Sequence, residues 1–176
     1  MTICSRHPFP RRLIAATLLS FCVAVPPALA ESDPLGWIEK GLVLPERVAV
    51  KFKLDTGALT SSMHAEDIDE FEKDGDDWVR FSVELEDVDS DEKVESTFER
   101  EVQRYIKVRG AGGAERRPVV MMKVCIGDKV YDEQFSLNDR DRMNYPVLIG
   151  RRTLENIGAV VDSSKTFTTD PDCSNT

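Results

Sequence analysis

The sequence predicts a small all-β domain with one or two short helices. Two observations predict it. Apolar and polar residues alternate with the period of a half-buried strand, as where Phe81, Val83 and Leu85 interleave with Arg80, Ser82 and Glu84. Turn-forming pairs then cut the chain into short lengths, at Pro45-Glu46, Asp74-Gly75 and Gly127-Asp128. No internal repeat is visible.

The N-terminal 30 residues read as an address. Arg6, Arg11 and Arg12 form a basic front, Leu13 to Val25 is apolar, and Ala28-Leu29-Ala30 is a small-x-small cleavage site. That is the pattern of a secretory signal peptide, with an apolar run short for a membrane span. The expected compartment is the periplasm or the exterior, with no membrane attachment after cleavage. Removing the three arginines of this segment from 23 basic residues leaves 20 against 32 acidic ones, a formal charge of −12. Such a surface disfavours nucleic acid and anionic lipid. Cys125 and Cys173 remain. An oxidising compartment permits a disulfide between them; equally, Cys125 packs in a strand while Cys173 sits in a tail.

The domain is expected over residues 31–168. Trp37 to Leu44 and Val48 to Leu54 have strand character. Asp55-Thr56-Gly57 breaks the second strand, and Met63 to Phe71 reads as a short helix. A strand through Phe81 to Leu85 leads into a charge run from Glu84 to Glu95. Asp87, Asp89 and Asp91 alternate there like the opening of a calcium loop, but Glu92 and Phe98 stand where such a loop needs Gly and Glu. A solvated loop is the expectation. Val102 to Val108 and Val119 to Ile126 read as strands around Gly110-Ala111-Gly112-Gly113. Val130 to Leu137 completes a hairpin with the second of these. After a polar loop at 140–144, Val147 to Ile149 is a short buried strand and Arg151 to Asn156 a short helix before Gly158. Ala159 to Val161 and Lys165 to Thr168 supply late strand material, and residues 169–176 read as a disordered tail.

Asp55 carries the chemistry. Hydrolysing a peptide with aspartates needs two carboxylates sharing one proton, one as base on a water and one as acid on the carbonyl oxygen. The chain has a single Asp-Thr-Gly, so the second aspartate has to come from another copy across a two-fold axis. Thr56 would buttress the turn through its hydroxyl, and Gly57 would allow a sharp turn. The bland alternative is a turn that ends an ordinary strand.

Leu54-Asp55-Thr56-Gly57-Ala58 resembles the active-site strand of retroviral-type aspartic proteases. Val147-Leu148-Ile149-Gly150-Arg151 resembles their second motif, in which Leu148, Ile149, Gly150 and Arg151 are structural. Gly110, Gly112 and Gly113 would form the tip of the mobile flap. More closely, Asp55 through Ala65, Gly112-Gly113 before Glu115-Arg116-Arg117-Pro118, and Leu148-Ile149-Gly150-Arg151-Arg152 look like a bacterial group of retropepsin-like proteins, the RimB-like family. The resemblance implies a small closed retropepsin-like β-barrel, a homodimer with paired Asp55 residues, and peptidase activity. Some of these proteins are labelled ATP-dependent zinc proteases, and some are associated with trimming glutamate tails. A secreted copy cannot meet a cytoplasmic ribosomal substrate of that kind.

The residues argue against the zinc and ATP labels. After the leader only His64 remains as histidine, with no His-Glu-x-x-His, and there is no phosphate-cradling Gly-x-x-x-x-Gly-Lys. The expectation is therefore no metal and no cofactor. Arg100, Arg104, Lys107, Arg109, Arg116 and Arg117 crowd the proposed flap, and Arg140, Arg142, Arg151 and Arg152 follow near the second motif. They read either as salt-bridged strand faces or as selectors of acidic peptide, with Arg116 and Arg117 as the substrate-binding pair. The leading expectation is an aspartic endopeptidase acting on peptide or protein. The rivals are an idle peptide-binding adaptor and a metal-dependent peptidase.

Overall fold

Strands β1 (Leu35–Val43) and β2 (Val48–Asp55) pair antiparallel, with Val50 facing Gly41 and Phe52 facing Glu39. Their apolar side chains, Val43, Val50 and Phe52 among them, have almost no exposure. Gly41 is glycine because a Cβ there would strike the Phe52 ring. The computed structural model describes residues 33–110 and 113–174. The leader assigned to residues 1–30 and the flap residue Gly112 lie outside them.

The following strands are β3 (Ser61–His64), β4 (Glu66–Lys73), β5 (Asp76–Glu86), β6 (Lys93–Glu101), β7 (Arg104–Gly110), β8 (Gly113–Ile126), β9 (Lys129–Asn138) and β10 (Val147–Gly150). Helix α1 (Arg151–Asn156) and strand β11 (Val161–Thr166) complete the fold. One sheet runs β11-β1-β2-β10-β3-β9-β8-β7, and β1 also pairs with β8. Pairing therefore returns on itself through β1, β2, β10, β3, β9 and β8, leaving β11 and β7 outside the ring. Strands β4, β5 and β6 form a separate sheet. Among the described residues the class is all-β with one short helix, as expected, but the pendant strands and second sheet depart from a simple closed barrel.

Phe52, Met63, Phe81, Val120, Met122, Phe135, Val147 and Ile149 pack into one core drawn from both sheets. Fully burying a side chain of this size contributes roughly 1.5–3 kcal/mol. Met63 sits there because residues 63–71, expected as a short helix, belong instead to β3 and β4. β3 lies between β9 and β10, with all four of its residues buried. Asp67, at φ 49°, sits within β4 where its register against β5 shifts between Glu66 and Asp69. Local apolar spacing suggested a helix; strand partners from distant sequence overrode it.

The expected charged loop shrinks to residues 87–92, since β5 runs to Glu86 and β6 starts at Lys93. Asp87 closes it by accepting the N–H groups of Asp89 and Ser90 at 3.0 Å and of Ala49 at 2.8 Å. These contacts, led by the Ala49 N–H, hold its carboxyl below the ordinary range against the effect of burial.

The C-terminal segment has no regular structure beyond β11, yet it is tied down, which corrects the reading of residues 169–174 as disordered. Cys125 and Cys173 form a disulfide. Glu39, fully buried, accepts hydrogen bonds from the backbone of Gly36, Thr168 and Thr169 and from the Thr168 hydroxyl. A buried carboxylate is tolerated only when its lone pairs are filled in this way.

Candidate functional site

Asp55 is the last residue of β2, and β10 lies parallel beside it with Gly150 opposite Asp55. The chain then turns sharply. Ala58 N–H donates to the Asp55 carbonyl at 3.2 Å. The carboxylate Oδ1 accepts the N–H groups of Gly57 at 3.0 Å and Ala58 at 3.2 Å. The turn is locked onto the start of α1, because Arg151 N–H donates to the Ala58 carbonyl at 2.7 Å and Arg152 N–H to that of Leu59 at 3.3 Å. The two sequence motifs thus meet.

Gly150 makes that meeting possible. A Cβ there would come within 2.6 Å of the Thr60 carbonyl carbon and 2.8 Å of the Ser61 nitrogen. Ser61 Oγ accepts Gly150 N–H at 2.9 Å and shares a hydrogen bond with Thr153 Oγ1 at 2.9 Å. Ile149 is fully buried beneath. Arg151 lies exposed at the helix start, 3.8 Å from Glu155. Gly57 does not need positive φ; its requirement is proximity, since a Cβ would sit 3.2 Å from Asp55 Oδ1. Thr56 is exposed, and its hydroxyl has no hydrogen-bond partner among the described residues.

The second carboxylate oxygen of Asp55, Oδ2, meets Lys53 Nζ at 2.9 Å. The Lys53 hydrogen bond is the main reason the Asp55 carboxyl lies below the ordinary range. Partial burial pushes the other way, and the Gly57 N–H adds to the lowering. Within one chain the group is therefore held as a carboxylate, suited to accept a proton and not to donate one.

A cleft of about 610 Å³ opens along the same turn, lined by Ala58, Leu59, Thr60, Ser62 and Leu148 and walled by β7 and β8. Arg104, Arg117, Arg140 and Arg152 line it together with Lys107, and no carboxylate does. Arg140 is nearly buried and holds no acidic partner among the described residues; its Nε donates to the Tyr145 carbonyl at 3.0 Å. Burial first, and Arg117 second, make its protonated form less favourable than usual. Arg104 feels the same two influences, burial and then Arg152. Its Nε donates to Gln134 at 2.9 Å. Ser62 Oγ in the same wall is buried with no hydrogen-bond partner among the described residues.

Of the expected substrate pair, only Arg117 reaches this cleft. Successive residues of a strand point to opposite faces, so Arg116 turns away. It lies 3.2 Å over the Tyr105 ring and pairs with Glu70 at 3.2 Å. Arg117 is itself paired with Glu115 at 2.6 Å. Where the flap was expected, β7 and β8 pair as far as Gly110 opposite Gly113, with Gly113 at φ 112°. Lys53 and Ser62 were missed as site residues, and Arg140 was read only as one of the basic group near the second motif. Lys53 was readable in principle from its place two residues before Asp55 on a strand; that Arg140 lines the cleft was not, because only the folded chain brings residue 140 there.

His64, Glu66 and Asp141 bring three donor atoms within 4.8 Å of one another. Zinc does not fit them. His64 Nδ1 accepts the Arg140 N–H at 3.0 Å, so the neutral ring carries its proton on Nε2. That nitrogen faces Asp141 at 3.4 Å and Glu66 at 3.8 Å as a donor, with no lone pair for a metal.

A Shewanella pealeana protein named probable alpha-L-glutamate ligase is 32% identical over 68% of this chain and 26% of its own length. A Desulfotalea psychrophila protein of the same name is 35% identical over 60% of this chain and 23% of its own. The chain thus spans about a quarter of the curated relatives it matches. A solved Legionella pneumophila protein of unknown function superposes with a TM-score of 0.68 at 33% identity, covering 80% of this chain and 100% of its own. The family described as retropepsin-like aspartic endopeptidase RimB matches residues 34–172, and this chain belongs to that RimB-like family.

Proposed function

We propose that the chain is an aspartic peptidase, active as a homodimer, that hydrolyses acidic peptide segments. The observation that carries the reading is that Ala58, whose N–H binds the Asp55 carboxylate, borders a cleft lined by four arginines and no carboxylate. A buried guanidinium without an acidic partner is costly, and an incoming carboxylate removes that cost. Arg140 is the strongest such position. The matched relatives are named for glutamate ligation, which agrees with glutamate-rich chains as the substrate class. Their ligase name describes longer proteins, of which this chain matches only about a quarter, and does not carry ligation to this chain.

In the proposed mechanism one Asp55, as carboxylate, takes a proton from water while the water oxygen bonds to the scissile carbonyl carbon. The partner's Asp55, protonated, gives its proton to the carbonyl oxygen. Collapse of the tetrahedral intermediate breaks the C–N bond: the first aspartate gives its proton to the leaving nitrogen, and a hydroxyl of the intermediate returns a proton to the partner's Asp55, which leaves an amine, a carboxylic acid and the pair sharing one proton again. The exposed turn supports pairing, since Thr56 and Gly57 are exposed and Leu59 is 48% exposed. The disulfide supports an oxidising, extracytoplasmic setting. The test is cleavage of oligoglutamate and of glutamine-matched peptides by wild type and Asp55→Asn. Equal turnover by both proteins would sink the reading.

A further inference from the structure

We propose that Lys53 is a positioning residue for Asp55 and sets the pH window in which the paired site can hold its shared proton. The inference rests on the aspartic-peptidase reading. Strand β2 places residues 53 and 55 on one face, and Lys53 Nζ reaches Asp55 Oδ2 at 2.9 Å. Oδ1 is already held by the N–H groups of Gly57 and Ala58. Both oxygens are thus engaged within one chain, so the orientation of the carboxylate is fixed before any partner arrives.

Among the described residues no competing charge stands opposite in the strand pairing. On β1, Ile38 faces Lys53; on β10, Leu148 faces Lys53 and Gly150 faces Asp55. The flanking charges are engaged elsewhere or exposed. Lys40 pairs with Asp89 and Asp170, Arg151 faces Glu155, and Lys51 points to solvent. Lys53 is therefore the cation that acts on Asp55 most directly.

Two aspartates sharing a proton lose it when pH exceeds the upper of their two apparent pKa values. A lysine beside each carboxylate favours the fully ionised pair and lowers both values. Removing that cation must raise them. Activity would then begin and end at higher pH, without any change in the residues that touch substrate.

Lys53→Met and Lys53→Gln remove the charge, and Lys53→Arg retains it. Two readouts are needed: the carboxyl-carbon NMR titration of Asp55, and the pH profile of kcat/KM on an oligoglutamate peptide. In both neutral variants the Asp55 midpoint should move up and both limbs of the profile should move to higher pH. The arginine variant should stay near wild type. An Asp55 midpoint unchanged in a folded neutral variant overturns the inference, as do unchanged limbs in an enzyme shown to depend on Asp55. A raised midpoint in a protein that cleaves nothing would leave the Lys53 effect standing and remove the peptidase reading instead.

Discussion

At the scale of single residues, Asp55 combines an ionised carboxylate with a tightly braced turn. Replacing it with asparagine removes the negative charge and the ability to act as base, while the amide oxygen still accepts the Gly57 and Ala58 N–H groups. Hydrolysis in Asp55→Asn should fall by at least about 10²–10⁴-fold, the usual worth of a positioned base, with the thermal midpoint little changed. Arg140 makes a separable prediction. Arg140→Met keeps the apolar stem packed but deletes the charge facing the cleft. KM for acidic peptides should rise while that for glutamine-matched peptides changes little, by the roughly 1.5–3 kcal/mol of a charge-assisted hydrogen bond. The same loss on both peptides would mean that Arg140 supports the loop at 140–145 and reads no carboxylate. Chelator treatment should leave turnover unchanged, because the protonated Nε2 of His64 gives zinc no ligand; activity lost to chelator and restored by zinc would overturn that assignment.

At the scale of elements, the hairpin of β7 and β8 turns on glycine. Gly113 sits at φ 112°, a region that side chains with a Cβ rarely adopt. A Gly113→Val change should distort the tip and lower kcat more than it lowers the thermal midpoint, since a Cβ there meets nothing within 4 Å. Unaltered kinetics would take the hairpin tip out of the catalytic cycle. Sequence legibility also varied element by element. Helix α1 was read at its observed bounds because Gly150 before it and Gly158 after it punctuate the chain. The β8–β9 hairpin was legible through alternation and Gly127-Asp128. Residues 61–71 were not, because the burial of Ser61, Ser62 and His64 depends on β9 and β10, whose sequences lie about 70–90 residues away. Arg116 and Arg117 were equally visible as a basic pair, but only their strand faces separate the one stacked on Tyr105 from the one at the cleft.

At the scale of the whole molecule, the disulfide and the single aspartate each constrain the assembly. The Cys125–Cys173 link closes 48 residues of sequence, and such a link contributes about 2–4 kcal/mol by restricting the unfolded chain. Reducing it, or making the double serine variant, should lower the thermal midpoint by roughly 5–15 °C. An unchanged midpoint would show that the Glu39 contacts alone hold the C-terminal segment. The larger claim concerns pairing. One chain holds one Asp-Thr-Gly, and its Asp55 has Lys53 and two N–H groups as neighbours but no second carboxylate among the described residues. A site that needs a shared proton is therefore half built. Activity per chain should fall steeply as the protein is diluted through its dimer dissociation constant. Excess Asp55→Asn chains should poison the wild type, because every mixed dimer has one carboxylate and cannot hold the proton between two. With random mixing at nine inactive chains to one active, about 1% of dimers carry two wild-type protomers, and activity per wild-type chain should fall about tenfold. Activity that instead scales with wild-type chains alone, at concentrations where subunit exchange is demonstrated, would mean that a protomer is catalytically complete, and the second acid would have to be sought within the chain.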